Sequence, residues 1–263
     1  MPINDELWRP LEVFISESPL MGSRFLAAGP MRTPLLTGRK NVPRIVTEPV
    51  PAWVDPTVDP LIPSTDPVYA IGTLEEKDVK AFIPISNDAL RYGEGVDPMV
   101  TSDTEKAIGA ALDFAYLVGT ANGPSGILKA ENELVTTGTW EADAAKLVAT
   151  VADAGLDTSE GVFFVGTATA IASVAAADAL PRPGKTGPLY ALGFPVVGIP
   201  GLNASPVMAF VVMDAVVVGD GHTSVALDSD TDLQTDVSNL RVVVGTDIKR
   251  RHKFAAAWAT VAY

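Results

Sequence analysis

Proline recurs throughout the first 67 residues of this 263-residue chain and limits how that part can fold. Each proline fixes φ and removes a backbone donor, so long helices and central strands are excluded there. The stretch also carries large apolar side chains that an extended segment cannot bury against itself. We therefore expect an extended N-terminal arm that lies on its own body or on a neighbouring subunit. The aromatic residues expected to make assembly contacts are Trp8, Phe14, Phe25 and Trp53.

The charge of the chain is unevenly distributed. Residues 1–44 carry six basic and four acidic side chains, whereas the other 219 residues carry 13 basic and 28 acidic ones. A net charge of −13 argues against general affinity for nucleic acid, which needs clustered Lys and Arg. For the arginines of the basic arm, contact with DNA, docking on an acidic neighbour and plain solvation all remain open. Of these arginines, we predict Arg32, Arg39 and Arg44 as assembly contacts.

Composition excludes several other classes of protein. The chain has no Cys, so it has no disulfide framework, no thiol nucleophile and no Cys-based zinc site. No apolar run approaches the ~20 residues of a membrane helix, so we expect no membrane partner. The acidic start of the sequence does not resemble a signal peptide, which predicts a cytosolic protein.

Two strand-like runs follow the proline-rich stretch, at 68–71 and 79–86. The charged segment GTLEEKD separates them, with Gly72 as a turn candidate. This pattern predicts a projecting β-hairpin with a solvated tip. Its charged residues, Glu75, Glu76 and Lys77, are therefore further candidates for assembly contacts.

A long helix of ~18–22 residues is predicted next, since apolar residues from Ile108 to Val118 recur at helical spacing. Either Asp97 with Pro98, or Ser102 with Glu105, supplies the N-terminal signal, and Gly119 ends the helix. A second helix is predicted over 140–154, between Thr139 as its cap and Gly155.

The rest of the chain predicts strands with one more helix. Strands are expected at 162–165, 194–199, 207–218, 240–249 and 254–263, and an Ala-rich helix is expected to end near Leu180. Helices and strands do not alternate strictly, so the predicted class is α+β.

A search for chemistry finds no convincing site. His222 and His252 lack the spacing of a helical zinc site. Gly166-Thr167 lacks the remaining residues of a phosphate-binding loop, and the acidic DSDTD (residues 228–232) lacks the Gly and Glu of a calcium loop. We therefore predict no catalytic residue, no metal and no cofactor, and hence no enzyme.

Five segments, in this order, resemble the major capsid proteins of tailed bacteriophages with the Hong Kong 97-type fold. They are AWVDP, VKAFIPISNDALRYG, AIGAALDFAYLVGTANGPSGIL, ALGFPVVGIPGLNA and VVVGTDIKRRHKFAAAWATVAY. The third is the most specific, because it combines a long "spine" helix with a Gly/Pro turn running from Leu117 to Ile127.

The resemblance implies an α+β capsid fold made of five parts. These are an N-terminal arm (1–48), an extended β-hairpin loop (49–86), a peripheral domain with the spine helix (87–138), an axial domain (139–219) and returning peripheral strands (220–263). It also implies self-assembly into hexamers and pentamers of an icosahedral shell around double-stranded DNA, in a virion assembled in the host cytoplasm. Scaffolding, portal and decoration proteins are the other partners it implies. The alternatives are an encapsulin-type nanocompartment shell and an α+β enzyme using Gly166-Thr167.

Overall fold

A computed structural model describes residues 22–47, 68–88, 96–166, 189–204, 207–228 and 237–260. Several predictions lie outside these residues: the Ala-rich helix near Leu180, most of the acidic DSDTD segment, and the contact residues Trp8, Phe14 and Trp53.

Three helices and twelve strands have defined bounds. The helices are α1 (Arg24–Ala27), α2 (Val96–Leu117) and α3 (Trp140–Asp153). The strands are β1 (Met31–Pro34), β2 (Arg39–Thr47), β3 (Val68–Glu75), β4 (Lys77–Ser86), β5 (Glu133–Leu134), β6 (Gly161–Gly166), β7 (Leu189–Ala191), β8 (Phe194–Ile199), β9 (Val207–Val212), β10 (Val216–Asp228), β11 (Val237–Arg250) and β12 (Ala256–Thr260).

The strands form three sheets, and the mixture with helices makes the class α+β. A four-stranded sheet has the order β1-β10-β11-β4, and a six-stranded sheet has the order β5-β12-β9-β6-β8-β7. A separate two-stranded sheet pairs β2 with β3.

The long helix was predicted correctly, and its end explains the turn that follows. Gly119 adopts φ +92°, which ends α2 at the expected position. The chain then folds back, and the N–H of Ile127 donates to the carbonyls of Tyr116 and Leu117 at 2.9 and 3.0 Å. The helix begins at Val96, so Asp97 and Ser102 both lie inside it and neither caps it.

An aromatic cluster forms the centre of the core, between α2 and the six-stranded sheet. Every residue of β6 is buried, as its apolar sequence predicted. The Phe164 ring lies 5.1 Å from that of Phe25, and the Phe163 ring lies 4.9 Å from that of Phe210. Phe25 also lies 5.6 Å from Tyr116 of α2. The cluster therefore joins the segment before β1 to both α2 and β6.

The five residues predicted to share one face of β11 are buried, but Val243 and Asp247 between them are buried as well, so this part of the strand is covered on both faces. Leu240, Val242, Val244, Thr246 and Ile248 are all buried on one face. The Tyr116 hydroxyl contacts the Thr246 hydroxyl at 2.7 Å, and Thr246 donates to the carbonyl of Gly219 at 2.9 Å. Burial raises the pKa of Tyr116 and keeps its hydroxyl protonated as a hydrogen-bond donor. These bonds tie α2 to the four-stranded sheet.

The predicted hairpin between residues 68–71 and 79–86 is wrong. Strand β3 pairs with β2, from Arg39 opposite Glu75 to Thr47 opposite Val68. Strand β4 pairs instead with β11, so only Glu76 separates strands of two different sheets. The expected solvated tip therefore lies against the body, and the proposed boundary at 48/49 falls between two strands that pair with each other.

Two other expectations about strands also need correction. The run at 207–218 is broken by a 3-10 turn, Met213–Ala215, which separates β9 from β10. The two C-terminal strands lie in different sheets, since β12 pairs with β9 and not with β11. The Asn132 amide holds the turn between them by donating to the carbonyls of Lys253 and Ala256, both at 2.8 Å.

The aromatic core gives a test of the fold. Phe164→Ala should lower the free energy of unfolding by about 3–5 kcal/mol, because truncating a fully buried ring leaves a cavity. Urea denaturation of the unassembled subunit, followed by tryptophan fluorescence, measures this. Phe82→Ala is the matched control: Phe82 is 66% exposed, and we expect a change within about 0.5 kcal/mol. Equal losses in the two variants would contradict the described core.

Candidate assembly surface

The β2–β3 sheet carries an exposed apolar face. Ile45 lies opposite Tyr69 and Pro43 opposite Ile71, so all four side chains point to the same side. Tyr69 is 62% exposed and Ile71 is 75% exposed. Within the described residues, no third strand joins this pair. A two-stranded sheet is marginally stable by itself, so this face needs a covering surface.

Strand β4 presents a second exposed surface at the edge of the four-stranded sheet. Alternate residues Lys80, Phe82 and Pro84 face outward, and Phe82 is 66% exposed. An edge strand offers unpaired backbone groups to another chain. Pro84 removes one backbone donor from this edge, which limits uncontrolled strand pairing.

The base of the β2–β3 hairpin is fixed by Glu76. Its Oε1 accepts a hydrogen bond from the backbone N–H of His222 at 2.7 Å and lies 2.6 Å from His222 Nδ1. A Cβ on Gly221 or Gly245 would lie 2.2 or 2.0 Å from this oxygen, so only glycine leaves room for the carboxylate. Gly221 and His222 lie where the β10–β11 register shifts. The register shift in β10 thus creates the space that holds the Glu76 carboxylate.

Neighbouring contacts hold the same junction. The backbone N–H of Glu76 donates to the carbonyl of Gly38 at 2.8 Å, and that of Glu75 donates to the Asp247 carboxylate at 2.9 Å. Leu74, just before them, is fully buried beside Leu35. The segment predicted to be a solvated tip is therefore the anchor of the hairpin.

Glu76, Asp78 and His222 also bring carboxylate and imidazole ligand atoms within 4.8 Å of one another. The spacing of 2.6 Å between Glu76 Oε1 and His222 Nδ1 suits a hydrogen bond, whereas two ligands of one zinc ion lie farther apart. Asp78 is 3.2 Å from Lys80, an ion-pair partner of its own. We therefore interpret the three residues as part of the hairpin base.

The predicted contact residues have different surroundings. Phe25 is completely buried by its own chain, so its prediction as an assembly contact is wrong. Arg39 and Glu75 form a cross-strand ion pair at 3.5 Å, and Arg32 pairs with Asp220 at 3.0 Å. Lys77, at the start of β4, is half-buried, and Arg44 lies on β2 near Arg250.

The segment before β1 is attached to α2 by an interaction that sequence reasoning missed. Gly22 and Gly109 are in direct backbone contact, because a Cβ on Gly109 would lie 2.2 Å from Gly22. Asp113 of α2 accepts hydrogen bonds from the Ser23 hydroxyl at 2.5 Å and from the N–H groups of Arg24 and Phe25 at 3.1 and 3.0 Å. Burial raises the pKa of Asp113, against the effect of these bonds. The signal for this contact was a lone acid within the apolar AIGAALDFAYL.

Both histidines form hydrogen bonds that hold neighbouring parts of the fold together. His252 is buried, and its Nδ1 accepts from the N–H of Phe254 at 3.2 Å. His222 is held at the hairpin base.

Among the described helices, none is long and apolar enough to cross a membrane.

Comparison with known proteins gives the class. A family model described as the phage capsid family matches residues 23–256, so the chain belongs to that family. It is a major capsid protein, a structural component of a bacteriophage virion. This favours a structural protein over the α+β enzyme, and the encapsulin alternative is not favoured. Comparison with curated proteins gave no significant match.

Solved structures agree on the fold. A chain from Mycobacterium phage Adephagia matches with TM-score 0.66 and 18% identity over 92% of this chain and 91% of that one. A chain from Microbacterium phage Oxtober96 matches with TM-score 0.64 and 16% identity, over 92% of this chain and 91% of that one. A chain from the capsid of an empty GTA particle matches with TM-score 0.63 and 13% identity, over 90% of this chain and 89% of that one.

The hairpin base gives a prediction about local stability. Glu76→Ala removes the acceptor for two donors of His222 and should loosen β2 and β3. We expect hydrogen–deuterium exchange in residues 39–47 and 68–75 to accelerate at least tenfold, while β6 and β9 remain protected. Glu75→Ala is the control, since this neighbouring acid is half-exposed and forms only a surface ion pair through its side chain. Unchanged exchange in Glu76→Ala would contradict the proposed anchor.

Proposed function

We propose that the protein assembles with a Hong Kong 97-type arrangement into hexamers and pentamers that tile an icosahedral shell around double-stranded DNA. Heterologous contacts between identical subunits close such rings and allow the rings to tile. Family membership and the similarity to a capsid chain support this proposal. The shell encloses DNA without sequence-specific contacts, consistent with the net charge of −13.

The sheets suggest how the Hong Kong 97-type parts map onto the chain. We assign the extended loop to the β2–β3 hairpin and its connection, residues 39–75. We assign the peripheral domain to α2 with the four-stranded sheet, and the axial domain to α3 with the six-stranded sheet. Because β12 pairs with β9, we assign residues 256–260 to the axial domain and not to the peripheral domain.

The observation that carries the proposal is the apolar face of Pro43, Ile45, Tyr69 and Ile71, on which Pro43, Tyr69 and Ile71 are exposed and Ile45 is half-buried. Burying a large apolar side chain stabilises a contact by roughly 1.5–3 kcal/mol. The contribution is repeated at every copy of the interface in a shell. A hairpin that is anchored at Glu76 and apolar on one face suits docking across a neighbouring subunit.

The remaining contacts follow from the sequence and the resemblance. We propose that Trp8, Phe14 and Trp53 add apolar contacts between subunits. Arg39, Glu75 and Lys77 are proposed as polar contacts at the hairpin. Scaffolding, portal and decoration proteins are proposed as further partners, with assembly in the host cytoplasm.

A double substitution on the exposed face tests this function. Tyr69→Ser with Ile71→Ser should leave a folded subunit but lower the yield of closed shells at least tenfold, because the docking face becomes polar. Circular dichroism checks folding, and electron microscopy of purified particles measures the yield.

Val68→Ser is the matched control, because Val68 lies on the same strand with its side chain on the opposite face. It should assemble like the unmodified protein. Normal shells from the double variant would show that this face does not support assembly.

A further inference from the structure

A cluster of cations lies where β2, near Arg44, meets the turn between β11 and β12. At its centre is the carboxylate of Glu131, whose oxygen accepts from Arg250 Nη2 at 2.8 Å. Arg250, Lys253 and Arg44 together hold the pKa of Glu131 below its usual value. We call this group the Glu131 cluster; it consists of Glu131, Arg44, Lys129, Lys249, Arg250 and Lys253.

The chain joins these residues from distant parts of the sequence. The N–H of Ile45, next to Arg44, donates to the carbonyl of Arg251 at 2.8 Å, which places β2 beside the β11–β12 turn. The Nη1 of Arg250 donates to the carbonyl of Lys253 at 2.7 Å and fixes that turn. The positive charges are therefore positioned by backbone contacts and do not depend on flexible side chains alone.

The positive charge of the cluster is only partly neutralised. Lys129 donates to the carbonyl of Ser125 at 2.5 Å, and its pKa is lowered by burial and then by the charges of Arg250 and Lys249. Lys249 lies 3.7 Å from Asp247, a carboxylate that also accepts from the backbone of Glu75.

Arg44 adds an unused donor. Its Nε is buried and has no hydrogen-bond acceptor among the described residues. Five cations thus face two carboxylates, Glu131 and Asp247, in a chain whose net charge is −13. The arrangement concentrates positive charge on a predominantly acidic protein.

We infer that the Glu131 cluster is a docking surface for an acidic surface of a second copy of this chain. The inference rests on the proposed assembly, which surrounds each subunit with copies of itself. Outside residues 1–44, the chain has 28 acidic and 13 basic residues, so a neighbouring copy offers mainly carboxylates. Complementary potentials between subunits speed association and set the register of contact.

Partial burial of the cluster favours the docking of a carboxylate. The side chain of Arg250 is only 8% exposed, so much of its hydration is already lost in the single subunit. A carboxylate arriving from a neighbour gains the attraction of several cations without a further large desolvation cost for Arg250. The phosphate backbone of DNA is the competing occupant, and the experiment separates the two.

The test compares two double variants that remove the same charge. Lys249→Gln with Lys253→Gln should slow shell formation at least tenfold at an ionic strength of about 0.05 M, and the difference should vanish near 0.5 M, where screening is short-ranged. Lys106→Gln with Lys146→Gln is the control, since Lys106 pairs with Asp103, Lys146 donates to the carbonyl of Val135, and neither belongs to the Glu131 cluster. Light scattering in the absence of DNA measures the rate, and circular dichroism checks folding.

The outcomes distinguish the possible errors. If the unmodified protein forms no shells, the proposed function fails. If it does, equal rates for all three proteins overturn the docking inference. A cluster variant that assembles normally but binds a 30-base-pair DNA duplex more weakly than the control does also overturns it, in favour of a phosphate-binding surface.

Discussion

The direction of the β2–β3 hairpin depends on how the Glu76 carboxylate is held. Glu76 is the only residue between β3 and β4, which belong to different sheets. A chain that changes sheets within one residue has little freedom to adjust, so its backbone and side chain must both be fixed. Gly221 and Gly245 leave space for the carboxylate, and His222 donates to it. The hairpin is thus attached rigidly at its base while its apolar face remains exposed.

The helix α2 performs a comparable task for the segment that precedes β1. Gly109 allows the backbone at Gly22 to lie directly on the helix, and Asp113 satisfies the donors that follow. On the other side, Tyr116 reaches Thr246 of β11. One helix therefore joins the chain before β1 to the four-stranded sheet. Gly109 and Asp113 interrupt the apolar second half of the helix, residues 107–117, because close backbone approach requires glycine and buried donors require an acceptor.

Local sequence patterns predicted the elements better than their partners. The periodicity before Gly119 predicted α2, and alternation from Leu240 to Ile248 predicted β11, since both patterns depend on one face of one element. The partner of β3 was predicted wrongly because Gly72 and the charged GTLEEKD resemble a hairpin turn. The true partner of β3, strand β2, is separated from β3 by 20 residues, so no local pattern links the two strands. The two C-terminal strands were likewise placed together, although β12 completes the sheet containing β9.

For the candidate site, too, local sequence patterns did not identify which groups contact each other. Composition and prolines predicted apolar contact residues within the first 67 residues, whereas the exposed Tyr69 and Ile71 lie just after that stretch, on β3, and were not predicted as contacts. Phe25 was assigned to this class because an aromatic residue in a proline-rich stretch has the same local signature whether its partner is another subunit or its own core. Only the packing against Tyr116 and Phe164 separates the two cases. Residues 22–47 thus combine two roles: residues near Phe25 complete the subunit, whereas β2 contributes to a surface that the described residues of a single subunit do not cover. If the hairpin docks on a neighbour as we propose, the core is complete before assembly while the apolar face of the hairpin is buried by it. Substitutions in the core should then change the free energy of unfolding of the subunit, and substitutions on the hairpin face should change assembly.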